Sequence, residues 1–274
     1  MDPIKVTDFP AKKQRGEKLV LLTAYDYPTA FYVDAAGVDG ILVGDTLGMV
    51  VLGQETTLPV TMEQMLDRTA AVARAAKRAL VIADMPFLSY QVNADEAERN
   101  AGRFLKEASA HAVKLEGGHR VAALVHRLTE AGIPVMGHLG MTPQSVHQFG
   151  GFRLQGRGRA EAEQMLADAV ELQAAGAFSL VLELVPAELA AAITRAIRIP
   201  TIGIGAGPAC DGEVQVFHDI LGLFEWLKPR HTKRYAELGP LIQRAVAQYA
   251  AEVRAGEFPT DENSFHVPEL EDLR

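Results

Sequence analysis

Short apolar runs alternate with helix-type stretches from residue 19 to about residue 224, and this alternation constrains the fold more than any other feature. The runs are LVLLTAY from Leu19, GILVGD from Gly40, ALVIAD from Ala79, AVKLEG from Ala112, PVMGHLG from Pro134, SLVLELV from Ser179, TIGIGAG from Thr201 and VQVFHD from Val214. Most are continuously apolar, as expected of parallel strands covered on both faces. Thr61 followed by Gln64 is a capping box opening a helix that runs to Arg78, and Asn93 followed by Glu96 resembles one. Gly132-Ile-Pro134 and Arg198-Ile-Pro200 end helices and start strands, because proline pushes the preceding residue out of the α region. The Ala- and Glu-rich run from Ala160 to Ala175 is made of good helix formers. Eight such units without a Pro- or Ser-rich linker predict one α/β domain over residues 1–274, a (βα)8 TIM barrel. An open doubly wound sheet is the alternative. An N-terminal extension precedes residue 19, and a terminal helix over 234–254 leads into an acidic tail.

The net charge of −8 gives no basic footprint for nucleic acid. No apolar run reaches the roughly 18 residues of a membrane span, and the polar Met1 to Phe9 does not read as a signal peptide. The single cysteine, Cys210, excludes an internal disulfide and a Cys-based zinc cluster. A cytoplasmic location is expected.

Active sites of such barrels sit at the C-terminal ends of the strands. Asp45 ends run two, Asp84 run three, Glu116 run four, His138 run five and Glu183 run six. One polar residue at a strand end solvates a loop; five at one height predict a site. Lys114 and Glu116 are two apart and share a strand face. If Glu116 faces the barrel mouth, so does Lys114, which then needs a carboxylate or an anionic substrate to stay charged. Clustered carboxylates repel one another unless a cation neutralises them. Ligands that are all oxygen suit magnesium or manganese better than zinc, and magnesium keeps positions open for substrate oxygens such as those of a 2-oxo acid.

The motifs LTAYDYPTA, VGDTLGMVVLG, TTLPVT, VKLEGG, GHLGMTPQSVHQFGGFRLQGR, LVLELVP and TIGIGAG followed by DGEVQVFHDILGLF resemble the ketopantoate hydroxymethyltransferase family, from Val6 to Arg254. That resemblance implies a barrel of the phosphoenolpyruvate- and pyruvate-handling type. It implies transfer of a hydroxymethyl group from 5,10-methylenetetrahydrofolate to 3-methyl-2-oxobutanoate, giving 2-dehydropantoate for pantothenate biosynthesis, with Mg2+ as cofactor and a homodecamer as assembly. Carried over by position, the metal carboxylates fall on Asp45 and Asp84, with Glu116 the third acidic residue. Substrate contacts fall on Asp45, Thr46, Asp84 and Lys114, and the proton acceptor on Glu183. Thr46 stands where serine is common; it keeps the hydroxyl and adds a methyl that could narrow the pocket. His138 is expected to assist at the substrate through a hydrogen bond.

Two rival functions differ in what they need. A carbon–carbon lyase of the same superfamily usually carries a reactive cysteine in a mobile loop, and none occurs between runs four and five. A regulatory barrel that only binds a metabolite needs no separate base. The Gly203–Gly207 stretch reads as a tight turn or a phosphate loop, the 148–159 stretch as a lid, a cationic contact or a solvated loop, His147 as loop, and Cys210 as incidental.

Overall fold

The computed structural model describes residues 2–224 and 229–270; residues 271–274 of the acidic tail lie outside the described residues. Contacts group the chain into two compact units. One holds residues 1–217 and 230–232, the other residues 218–229 and 233–274.

In chain order the elements are α1 (Asp8–Arg15), β1 (Leu19–Thr23), α2 (Tyr27–Ala35), β2 (Gly40–Val43), α3 (Leu47–Val50), α4 (Met62–Ala75), β3 (Leu80–Asp84), α5 (Ala94–Ala108), β4 (Ala112–Glu116), α6 (His119–Glu130), β5 (Val135–Gly140), α7 (Val146–Phe149), α8 (Arg159–Ala174), β6 (Ser179–Glu183), α9 (Ala187–Ala196), β7 (Thr201–Ile204), β8 (Gly212–Gln215), α10 (Phe217–Ile220) and α11 (Leu238–Ala255). The eight strands close into a barrel in sequence order, β1 pairing with β8, every pair parallel. The fold class expected from the alternation is therefore the one observed.

Local chemistry explains the entries. The α4 capping box forms fully, with Thr61 accepting from the Gln64 N–H and the Gln64 side chain from the Thr61 N–H. Asn93 caps α5 by accepting from the Glu96 N–H. Strand β8 is a correction: it lies at Gly212–Gln215, ahead of the expected start at Val214, and the apolar Val216 and Phe217 lead into α10. The extension before residue 19 contains α1, a helix that no apolar periodicity in the sequence marks.

Side-chain parity divides the core into two layers. Leu19, Leu21, Leu42, Leu80, Ile82, Ala112, Met136, Val181, Ile202 and Val214 fill the barrel interior with Phe9 and Phe178. Val81, Val113, Leu115, Val135, Leu180 and Leu182 belong to the outer layer, which includes helix residues such as Val72, Phe104, Leu128 and Leu172. Counting in twos along the inward face of β4 leads from Ala112 to Lys114 and Glu116; the same step leads along β3 to Asp84, β5 to His138 and β6 to Glu183. The top interior layer is thus polar because the inward positions at the strand ends are polar residues.

The smaller unit is built on α11, which buries none of its residues and exposes Leu241, Ile242, Val246, Tyr249 and Val253. Within that unit the Tyr249 and Phe258 rings meet edge to face at 5.8 Å. Among the described residues no helix is long and apolar enough to cross a membrane.

Candidate active site at the barrel mouth

Register brings the strand-end residues together. Asp84 stands opposite Lys114, and Glu116 opposite His138. Lys114 Nζ lies 2.8 Å from Asp84 Oδ1 and 3.3 Å from His138 Nδ1. His138 Nδ1 is 3.6 Å from Glu116 Oε1, and its Nε2 is 3.3 Å from Glu183 Oε2. His138 thus sits between Glu116 and Glu183, as strand order suggested. Asp45 joins through the turn after β2. Its backbone N–H donates to Asp84 Oδ2 at 3.1 Å. A Cβ at Gly44 would sit 2.6 Å from Thr46 Oγ1, so a larger residue there would displace that hydroxyl. Thr46 follows, half-buried, at the start of α3.

Glu183 is held by its backbone. Its carbonyl accepts from Met141 N–H at 2.8 Å. Gly140 passes so close that a Cβ would meet that same oxygen at 2.1 Å, so β5 can end there only as glycine. Leu184 adopts a left-handed conformation at φ 45°, a strained choice for leucine. Its N–H donates to Ile204 O, and its carbonyl accepts from Gln155 N–H. The Gly203–Gly207 turn makes room for this kink: a Cβ at Gly205 would meet Leu184 Cδ2 at 2.8 Å. The glycine-rich turn and the 148–159 loop both converge on the residue after Glu183.

The electrostatics are unbalanced. Asp45, Asp84, Lys114, Glu116 and His138 are all at most 7% exposed, so water screens them little. Burial raises the Asp45 carboxyl well above its usual range, and the Asp84 and Glu116 charges push it the same way. Burial also raises Asp84, against the pull of Lys114. Burial opposes the Lys114 ammonium, but Asp84, Glu116 and Asp45 outweigh it and hold its pKa above the ordinary lysine value. Burial and Lys114 work against the His138 imidazolium; Glu116 and Glu183 outweigh them and raise it.

Gln144 and Tyr90 belong to the site and were not expected from the sequence. The Gln144 amide donates to Asp45 Oδ2 at 2.9 Å, and its backbone N–H donates to Glu116 Oε2 at 3.1 Å. Tyr90 OH donates to Gln144 Oε1 at 2.9 Å and accepts from the Glu116 N–H at 3.1 Å. Their position beside the strand-end motifs, in LSYQVN and GMTPQS, was the available signal. A cavity of about 400 Å³ opens on the outer side of this pair, lined by Phe87, Tyr90, Glu116, Arg120, Gln144 and Gln148 among others. Lys114 and Glu183 do not line it, so it lies beside the polar cluster rather than over it. His147 is exposed, and Cys210 is buried against Gly203 away from the cluster.

Comparison with known proteins decides what this mouth belongs to. The family model for ketopantoate hydroxymethyltransferase matches residues 3–261. The chain belongs to the ketopantoate hydroxymethyltransferase family. Relatives named 3-methyl-2-oxobutanoate hydroxymethyltransferase include that of Roseiflexus sp., 59% identical over 97% of this chain and 95% of the relative. Those of Syntrophus aciditrophicus (58%, 92% and 93%) and Carboxydothermus hydrogenoformans (53%, 98% and 98%) carry the same name. The chain is therefore an enzyme of the hydroxymethyltransferase class, acting at the ketopantoate step of pantothenate synthesis. Solved structures sharing its fold include phosphonopyruvate hydrolase in complex with oxalate and Mg++, at 14% identity and TM-score 0.63, covering 97% of this chain and 93% of that one. Another is 2,3-dimethylmalate lyase, a PEP mutase/isocitrate lyase superfamily member, at 16% identity and TM-score 0.58, covering 97% and 92%. These likenesses show the shared barrel fold.

Proposed function

We propose that the one-carbon donor is 5,10-methylenetetrahydrofolate and that the transfer proceeds by metal-assisted enolisation of 3-methyl-2-oxobutanoate followed by aldol-type addition. The observation that carries the reading is three buried carboxylates, Asp45, Asp84 and Glu116, acting on one ammonium, Lys114. Buried charges persist when paired or when they coordinate a metal. Among the described residues no three His, Cys, Asp or Glu side chains form a ready-made metal cage. A pair of carboxylates, Asp45 and Asp84, is what magnesium uses, filling the rest of its shell with water and substrate oxygens. Asp45 and Asp84 would hold it. Glu116, with Oε2 engaged by Gln144, would act through water or from its remaining oxygen. The chemistry magnesium supplies when bound is Lewis-acid polarisation of the keto group. The fold neighbour phosphonopyruvate hydrolase was solved with oxalate and Mg++, a ligand pair of the kind this reading requires here.

The chain's own residues do the rest. Lys114 stays protonated among its carboxylates and offers a fixed positive charge to the 2-oxo acid. Amine nucleophiles need a lowered pKa, so its raised one argues against a Schiff-base route. The Thr46 hydroxyl, half-buried at the start of α3 and without a hydrogen bond among the described residues, would donate to the substrate carboxylate. Glu183, outside the Asp45–Asp84 pair and the most open group of the set at 19% side-chain exposure, takes the proton from C3. His138, 3.3 Å away, orients it. Water cleaves the two C–N bonds of the folate's methylene bridge, the nitrogens leaving protonated, and releases the one-carbon unit at the formaldehyde level. The carbanion adds to that carbon, the new carbon–carbon bond replaces the lost C–H bond, and the water's oxygen becomes the hydroxymethyl oxygen. An assay with both substrates, with and without EDTA, tests the reading. Turnover that EDTA abolishes and Mg2+ restores is expected; full turnover in EDTA overturns it. The cytoplasmic location and the decamer belong to the same proposal, carried by the family resemblance.

A further inference from the structure

We propose that Gln144 is a positioning residue for the cation site, fixing Asp45 and Glu116 so that one oxygen of each stays turned to the cluster. The inference rests on the metal reading above. Gln144 is buried, and its amide uses its whole hydrogen-bonding capacity. The NH2 group donates to Asp45 Oδ2 at 2.9 Å and to Met85 O at 2.9 Å. The oxygen accepts from Tyr90 OH at 2.9 Å and from Gln91 Nε2 at 3.0 Å. Flipping the amide would set its oxygen against a carboxylate and a carbonyl and its NH2 against two donors, so one orientation is enforced. Its backbone N–H, presented by the tight turn Pro143–Ser145 after β5, takes Glu116 Oε2. Tyr90 closes the network by accepting from the Glu116 N–H, and its own proton has Gln144 Oε1 at 2.9 Å and Glu116 O at 3.3 Å as acceptors, the nearer being Gln144.

The result is a clamp with a defined output. Asp45 Oδ1 has no protein partner among the described residues, and Glu116 Oε1 faces His138. A neutral amide suits this task better than any charged side chain. Lysine or arginine would discharge the carboxylate and compete with the cation; aspartate or glutamate would repel the group it should hold. An amide orients a carboxylate and leaves its charge available.

The test is Gln144→Met, which keeps volume and removes the donors. Mg2+ is titrated by calorimetry into parent and variant, and Mn2+ binding is followed by electron paramagnetic resonance, both without substrate. Loss of a partner that orients a metal ligand typically costs about 10–100-fold in affinity, and a loss of that size with an altered Mn2+ spectrum is expected. Cation-free melting curves record any packing effect separately. A role in packing alone lowers the melting temperature and leaves cation affinity at the parent value, and that result overturns the proposal. Failure of the parent itself to bind either cation removes the metal reading and this inference with it. Should Gln144→Met not fold, Tyr90→Phe decides. It deletes the oxygen that donates to the Gln144 amide and accepts from the Glu116 N–H, loosening both ends of the clamp while leaving the Gln144 donors in place. A smaller loss of affinity in the same direction is expected; an unchanged affinity overturns the proposal.

Discussion

The two ends of the barrel handle buried charge in opposite ways. At the N-terminal end, α1 lays Phe9 across the barrel floor, fully buried and edge to face with Phe178 at 5.4 Å. Each carboxylate around it meets a cation. Lys12 meets Asp39 at 2.6 Å, Arg78 meets the same carboxylate at 3.5 Å, and Lys13 meets Asp211 at 2.9 Å. The spare oxygen of Asp39 accepts from the Val20 N–H, and the Asp211 oxygen that meets Lys13 also accepts from the Thr201 N–H. At the C-terminal end, three carboxylates act on one ammonium, Glu183 sits on a strained turn, and the residues holding it are glycines and a left-handed leucine. A chain that gives each of these floor carboxylates a cation is not short of means to do so at the other end. On the proposed reading the imbalance at the mouth is the functional one, in keeping with barrels whose N-terminal face stabilises and whose C-terminal face reacts.

Substitutions at each end sharpen that contrast. The largest effect is expected at the floor. Phe9→Ala removes a fully buried ring, and such truncations cost about 3–5 kcal/mol. Urea unfolding should show a loss of that order while kcat and KM at the folded concentration stay at parent values. A fall in kcat without a fall in stability would mean that the floor reaches the chemistry. The smaller effect is expected at the mouth. Asp84→Asn keeps the shape and removes one charge of the cation pair. Magnesium affinity should fall by about 100-fold, the upper end of what even an outer-shell partner contributes, with unfolding little changed. Unaltered affinity in calorimetry would show the pair is not the metal's.

The floor and the mouth were also unequally legible in the sequence. The mouth could be read because Asp84, Glu116, His138 and Glu183 interrupt apolar runs where a strand must end, and a period of two turns Lys114 and Glu116 the same way. Helix α1 could not be read: it is short and lysine-rich, and Phe9 is its one buried residue. Strand β8 was misplaced because its first residues, Gly212 and Glu213, carry no apolar signal, while Val216 and Phe217 beyond it do. Gln144 and Tyr90 lie in loops, and a neutral amide in a loop looks like solvation until its partners are seen.

The central claim is that Glu183 abstracts the C3 proton at a cation-dependent site. Its most direct test is exchange of that proton for deuterium in 3-methyl-2-oxobutanoate, followed by NMR with Mg2+ and without folate, for the parent and for Glu183→Gln. The variant keeps shape and most hydrogen bonds, and loss of a general base costs about 10²–10⁴-fold. Exchange slowed by that factor, with magnesium and 2-oxo acid affinities unchanged, is the predicted result. Exchange in the variant as fast as in the parent would contradict the account and move the base to His138.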